Sequence, residues 1–258
     1  MFEIEVSATN ILKAARCGRR DVLADLVNKR LDIDFPDKSD YSKSALHKAA
    51  EGGDIDAVKL LISYGADLNY RDTLFRATPL LLAASSGKLD VLELLVKRGG
   101  DVDIKDAWRR SPWHWAAVNG HTHIINWLFK YYSNLKKRQN INEQKVIEYI
   151  ADEINSRDWK KRTSLHLAVQ GAHEDASKVL LQYGAEVNCY DLERNTPLHI
   201  AARKGYNEIV KQLLQYKADE TLTDRAGKTV MEIAEERNDI DIIRILNLAR
   251  TTGLAVPQ

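Results

Sequence analysis

The 258-residue chain has little cysteine, little proline, no excess of either charge and no long apolar run. Its two cysteines, Cys17 and Cys189, make no disulfide framework, and neither has the close cysteine or histidine neighbours of a zinc site. A reducing compartment, cytosol or nucleus, is therefore expected. No apolar stretch approaches the ~18 to 20 residues that a membrane-spanning helix needs. The opening segment, MFEIEVSATN, lacks the basic-then-apolar layout of a secretory signal. Lys and Arg number 38 against 37 Asp and Glu, so no global field draws in nucleic acid and only local stripes of charge remain. With 44% hydrophobic and 29% charged residues, the composition is too apolar for a disordered chain and too charged for a membrane one. A folded, helix-rich protein is the expectation.

What the chain does have is a period. SALHKAAEGGDIDAVKLLISYGADLN from Ser44, TPLLLAASSGKLDVLELLVKRGGDVD from Thr78, TSLHLAVQGAHEDASKVLLQYGAEVN from Thr163 and TPLHIAARKGYNEIVKQLLQYKADET from Thr196 are copies of one unit. A further copy begins at Ser111, and a degenerate one runs from Asn10. The equivalent apolar positions Leu12, Leu46, Leu80, Trp113, Leu165, Leu198 and Met231 are separated by 34, 34, 33, 52, 33 and 33 residues. This resembles the ankyrin repeat family, whose unit is 33 residues long with a Thr-Pro-Leu-His-x-Ala motif. The nearest matches are Thr196-Pro197-Leu198-His199 and the unit ends Tyr64-Gly65-Ala66-Asp67 and Tyr183-Gly184-Ala185-Glu186.

The unit's physics is readable by itself. Thr or Ser before Pro starts a helix: the hydroxyl caps the first turn and Pro occupies the first helical position, where its missing N–H is no loss. Ala83-Ala84, Ala116-Ala117 and Ala201-Ala202 offer small side chains where helices approach closely. Gly87, Gly120 and Gly205 suit a left-handed helix stop. A second helix follows, with Ile209, Val210, Leu213 and Leu214 as one example of its apolar spacing. Helical hairpins of this kind bury their apolar faces only by stacking.

The expected fold is an all-α repeat solenoid, one domain of seven helix-turn-helix units joined by β-hairpin fingers. The units run over approximately 10–37, 41–72, 73–106, 107–158, 159–191, 192–224 and 225–250. The polar terminal units read as caps, so a complete, monomeric array is expected. The spacing of 52 places an insertion at about 133–151. There the pattern reads as a lengthened second helix, a basic turn at Lys136, Lys137 and Arg138, and an added helix. Asn140 and Glu143 resemble its capping box, and Val146, Ile147, Ile150 and Ile154 form its apolar stripe. The insertion is expected to displace or reshape the finger carrying Trp159.

Catalytic and metal chemistry find little support. His114 shares the repeat position of His47, His166 and His199, to which the resemblance assigns a structural hydrogen bond. With His121 also at a family position, His123 is left alone, and zinc needs three or four converging ligands. Gly227-Lys228-Thr229 ends like a phosphate loop, but the glycine required five residues earlier is Leu222. Cys17 and Cys189 lie four to five units apart and carry no partner for nucleophilic work. No enzyme activity and no cofactor are expected. Asn69 and Asn188 stand in contexts similar to those of hydroxylated ankyrin asparagines, and the plainer reading is a turn residue.

The resemblance also implies that variable residues, in the fingers and at the ends of the first helices, face partners. Trp108, Arg109 and Arg110, and Trp159, Lys160, Lys161 and Arg162, replace a turn glycine with a cation and add a ring. Val118, Asn119, Gln170, Arg194, Arg203 and Lys204 complete the candidate partner-binding set. Arg and Trp dominate interface energies, and cations beside rings favour acidic or phosphorylated protein segments. The expected function is a non-catalytic scaffold or adaptor for such a partner. The alternatives are an effector of an intracellular microbe acting in host cytosol and a binder of nucleic acid or another anionic ligand.

Overall fold

The computed structural model describes residues 33–139 and 142–252, together with 14, 15, 19 and 21. Among these residues the chain forms thirteen helices. They come as hairpin pairs: α1 (Ala45–Gly52) with α2 (Ile55–Ser63), α3 (Pro79–Ser85) with α4 (Leu89–Lys97), and α5 (Pro112–Val118) with α6 (Thr122–Gln139). After the added α7 (Glu143–Ile154) follow α8 (Ser164–Gln170) with α9 (Glu174–Gln182), α10 (Pro197–Lys204) with α11 (Asn207–Gln215), and α12 (Val230–Glu236) with α13 (Ile240–Thr252). Most of the degenerate first copy, Cys17 included, lies outside the described residues.

Two compact units divide after Trp115. In the first, α1 packs on α2 and α3, and α3 and α2 both pack on α4. In the second, α8 packs on α9 and α10, α10 on α11 and α12, and α13 on α11 and α12. The alanine pairs explain the close stacking of first helices within each unit: Ala49, Ala50, Ala83 and Ala84 in the first and Ala201 and Ala202 in the second are all fully buried. The second helices bury a single stripe each, as with Ile209, Val210, Leu213 and Leu214 of α11. The expected left-handed stops occur at Gly87, Gly120 and Gly205, with φ of 67°, 70° and 78°. At Gly120 space is a second reason for glycine, because an added Cβ would come within 2.5 Å of the His173 ring. That ring is held in place by donating from Nε2 to the Val118 carbonyl at 3.0 Å.

The fingers differ from expectation. Among the described residues there is no β-strand, and the single isolated bridge joins Asp37 and Lys43. Each finger is too short for a ladder, because an aspartate at its base gathers the turn's own N–H groups, as described below. Successive units are also tied by side-chain amides. Asn69 Oδ1 accepts from the Asp101 N–H at 3.0 Å, Asn155 from Glu186 at 2.8 Å and Asn188 from Asp219 at 2.8 Å. Asn69 and Asn188 thus have a structural task.

The insertion also departs from its reading. Helix α6 continues to Gln139, so Lys136, Lys137 and Arg138 lie in helix and not in a turn. Lys, Arg and Gln are strong helix formers with no Gly or Pro to stop them. Asn140 lies outside the described residues, and the cap of α7 is Asn142, whose Oδ1 accepts from the Gln144 N–H at 3.0 Å. Val146, Ile150 and Ile154 are buried while Ile147 is 56% exposed. The buried face follows the i, i+4, i+8 row, and Ile147 flanks it. Helix α7 packs on α6, with the Tyr132 and Tyr149 rings 5.3 Å apart. The turn carrying Trp159 nevertheless keeps the hydrogen bonds of the other fingers, so the insertion does not reshape it.

Candidate functional site

An aspartate opens each finger and acts as its keystone. Asp106 Oδ1 accepts from the N–H groups of Trp108 at 2.8 Å and Arg110 at 2.7 Å. Asp158 does the same for Lys160 at 2.8 Å and Arg162 at 2.9 Å, and Asp191 for Glu193 at 2.9 Å and Asn195 at 2.8 Å. Such Asx turns fix the backbone of a short loop. Sequence reasoning attended to the variable residues and passed over this repeated aspartate, although its phase was visible.

The second carboxylate oxygen separates the two aromatic fingers. Asp106 Oδ2 accepts from the neutral indole of Trp115 at 3.2 Å. Burial pushes the Asp106 carboxyl above its ordinary range, and the turn's N–H groups only partly oppose this. Asp158 Oδ2 instead receives the Arg162 guanidinium at 2.7 Å and 3.0 Å. Burial again works to raise the Asp158 carboxyl, but the Arg162 hydrogen bonds and charge outweigh it and hold the group below its usual range.

Two of the expected contact positions first meet each other. The residue ending a finger reaches a residue eight positions on, in the last turn of the following helix: Lys43 to Glu51 at 3.0 Å, Arg162 to Gln170 at 3.0 Å and Lys228 to Glu236 at 2.5 Å. Asn195 Oδ1 likewise accepts from Arg203 at 2.8 Å, and Arg203 also donates to Asp224 at 2.7 Å. Arg162 and Arg203 are therefore pre-oriented by intramolecular pairs, and their charges are partly balanced.

In the second unit, five of the expected residues line one groove of about 350 Å³: Lys160, Arg162, Gln170, Arg203 and Lys204. Leu192 and Ile200 give it apolar surface, and Asp191, Glu193 and Asn195 complete it. Trp159 stands beside it, 50% exposed, with the Lys160 ammonium 5.0 Å from its ring. Lys161 and Arg194 are exposed on the finger turns outside the groove, Arg194 lying 5.0 Å from the Tyr190 ring. Val118 is half-buried and Asn119 exposed, and neither lines the groove.

In the first unit Trp108 is half-buried against Phe75, ring centres 4.4 Å apart, so it packs on the preceding finger. Arg110 lies over Trp108 at 4.8 Å and over Trp115 at 5.5 Å. Arg109 is exposed. Sequence reasoning missed Arg76, an exposed residue of the preceding finger. It also missed the apolar groove residues Leu192 and Ile200; for the first, the leucine that opens the finger LERN was the available signal.

The shared histidines are structural. A backbone N–H at 3.2 Å reaches Nδ1 of His47, His114, His166 and His199, which must therefore carry the lone pair. Nε2 of His47, His166 and His199 donates to the carbonyls of Ala77, Asn195 and Lys228 at 3.0, 3.1 and 3.2 Å. Burial pushes the rings of His47, His166 and His199 down, so they stay neutral while each joins one repeat to the next. Among the described residues no group of three or more His, Cys, Asp or Glu is placed to hold a metal ion. Cys189 is buried and donates from Sγ to the Glu186 carbonyl at 3.0 Å, and burial pushes its thiol up to about 11, against nucleophilic use.

Two family descriptions match the chain. Ankyrin repeats (3 copies) covers residues 6–72, 46–139 and 80–191, and Ankyrin repeats (many copies) covers 180–234. The chain belongs to the ankyrin repeat family. It is 35% identical over 82 residues to Ankyrin repeat and SOCS box protein 6 of Mus musculus, a match covering 32% of this chain and 19% of that protein. The match therefore spans about a fifth of that relative's length. The crystal structure of the human ASB11 ankyrin repeat domain aligns with a TM-score of 0.73 at 26% identity, over 92% of this ankyrin chain and 96% of that one. Ankyrin repeats generally mediate protein–protein interaction and are typically non-enzymatic. Among the described residues, no helix of this ankyrin protein is long and apolar enough to cross a membrane.

Proposed function

We propose that this ankyrin protein is a non-catalytic scaffold or adaptor that holds an acidic or phosphorylated segment of a partner protein in the groove of its second unit. One observation carries the reading: Lys160, Arg162, Arg203 and Lys204 line a groove with apolar Leu192 and Ile200, beside half-exposed Trp159. The apolar residues and ring supply desolvated contact area, where hot-spot energy concentrates. The guanidinium of Arg203, pre-oriented by Asn195 and Asp224, loses less entropy on binding a carboxylate or phosphate than a mobile one would, while Arg162, largely buried on Asp158, forms part of the groove wall. Asp191 and Glu193 in the same groove favour a partner with spaced acidic groups over a dense polyanion, because close packing of negative charge would meet them.

Fluorescence anisotropy with a labelled glutamate-containing peptide tests this. Trp159→Ala is expected to weaken binding by roughly tenfold or more while leaving helical circular dichroism unchanged. Unchanged affinity would overturn the assignment of the groove. A nucleic-acid binder would instead show a steep fall of affinity with salt and displacement of the peptide by an oligonucleotide.

A further inference from the structure

The insertion is where the chain departs from its own repeat, and the repeats on either side of it meet directly. Helix α6 packs on α9. Tyr183, which follows α9, donates from its hydroxyl to Asn126 Oδ1 at 2.6 Å and stacks on Phe129, ring centres 3.8 Å apart and planes 5° apart. Helix α7 adds a wall beside this seam, and the result is a groove of about 350 Å³ between α6, α7 and the end of α9. Phe129 and Ser133 of α6, Ile147, Ile150 and Ala151 of α7, and Tyr183 line it. The polar groups along it are already engaged: Ser133 Oγ donates to the Phe129 carbonyl at 2.7 Å, the Tyr183 hydroxyl to Asn126, and Asn155 Nδ2 to the Gly184 carbonyl at 3.4 Å. Both long walls are helices, whose backbone groups bond within the helix. The groove therefore offers apolar contact and no edge for a strand to pair with. An extended segment would leave its N–H and C=O groups unpaired there, whereas a helix brings them already bonded.

The two walls carry opposite charge. On α6, Lys130 shares one helical stripe with Asn126, Phe129 and Ser133; on α7, Glu148 shares the matching stripe with Gln144, Ile147 and Ala151. Both charged residues are exposed. We propose that this groove docks an amphipathic helix of a partner protein, with aliphatic anchors at i, i+4 and i+7 against its floor, basic residues on the flank toward Glu148 and acidic residues on the flank toward Lys130. The opposed charges fix the direction in which that helix lies. Ile147, 56% exposed at the groove's edge, is the contact that the helix covers. The site shares no residue with the groove of the fingers, so it stands independently of the acidic-partner reading.

The probe is a labelled synthetic helix with leucines at i, i+4 and i+7, lysines on one flank and glutamates on the other, titrated by fluorescence anisotropy. Ile147→Asp is expected to weaken its binding by roughly tenfold or more, and Glu148→Lys by about threefold. Ile240→Asp, which changes an exposed isoleucine at the start of α13, is expected to leave it unchanged. Glu148→Lys alters only an exposed charge, so it reads the site even if Ile147→Asp destabilises α7. Unchanged affinity in either groove variant, or no binding by wild-type protein, would overturn the proposal. So would sedimentation that finds a wild-type dimer dissociated by Ile147→Asp, because a second copy of the chain would then be the occupant.

Discussion

Acidification from pH 6.5 to about 4 is expected to remove about 3 kcal/mol of folding stability through His166 alone. Burial pushes this imidazole down from 6.5 to about 4, with the Asn195 hydrogen bond opposing only in part. In that window the unfolded chain binds a proton that the folded chain refuses, so stability rises with pH and is fully present above 6.5. Protonation would place a hydrogen on Nδ1, facing the Thr163 N–H at 3.2 Å, and would abolish the acceptor that caps α8. His47 and His199 are shifted in the same direction, first by burial, and add to the loss. The lowered carboxylates Asp158 and Asp219 act at lower pH, through their own window below the ordinary value of 3.8. Urea midpoints at pH 7.5, 5.5 and 4 measure the effect. A flat profile above pH 4 would contradict the neutral-histidine account.

Replacing Asp158 by Asn is expected to cost about 2 to 4 kcal/mol, against about 1 kcal/mol or less for Asp106→Asn. Both asparagines keep an oxygen for the finger's N–H groups. At 158 the new amide would face the Arg162 guanidinium, donor against donor, and leave a largely buried cation without its carboxylate; the Arg162 side chain is 12% exposed. At 106 the partner is a neutral indole, and the native carboxyl is already raised by burial. Equal losses in chemical denaturation would show that the guanidinium pair adds nothing beyond the turn.

The repeat, its helix pairs and its glycine stops were legible because each is local chemistry recurring in phase. Thr196-Pro197 and Gly205 read as helix start and stop and are so in the structure. The end of α6 was not legible, since nothing between Lys136 and Gln139 distinguishes a turn from more helix. The fingers misled for a different reason: the aspartate that replaces a β ladder works through backbone N–H groups, which no side-chain pattern reveals. In the candidate site the residue types were readable but their pairings were not. Arg162 and Arg203 appeared as outward cations, and their engagement with Asp158, Gln170, Asn195 and Asp224 depends on how turn and helix meet. Trp108 and Trp159 looked alike in sequence. Phe75 covers the first, and the second stays half-exposed.

The most direct measurement is the affinity of a glutamate-containing peptide for two charge-reversed proteins of equal net charge. One carries Lys160→Glu and Lys204→Glu in the groove, the other Lys178→Glu and Lys211→Glu on the exposed faces of α9 and α11. Binding is predicted to fall by at least roughly tenfold in the first and to change little in the second. Equal losses in both would mean that total charge, not the groove, attracts the partner.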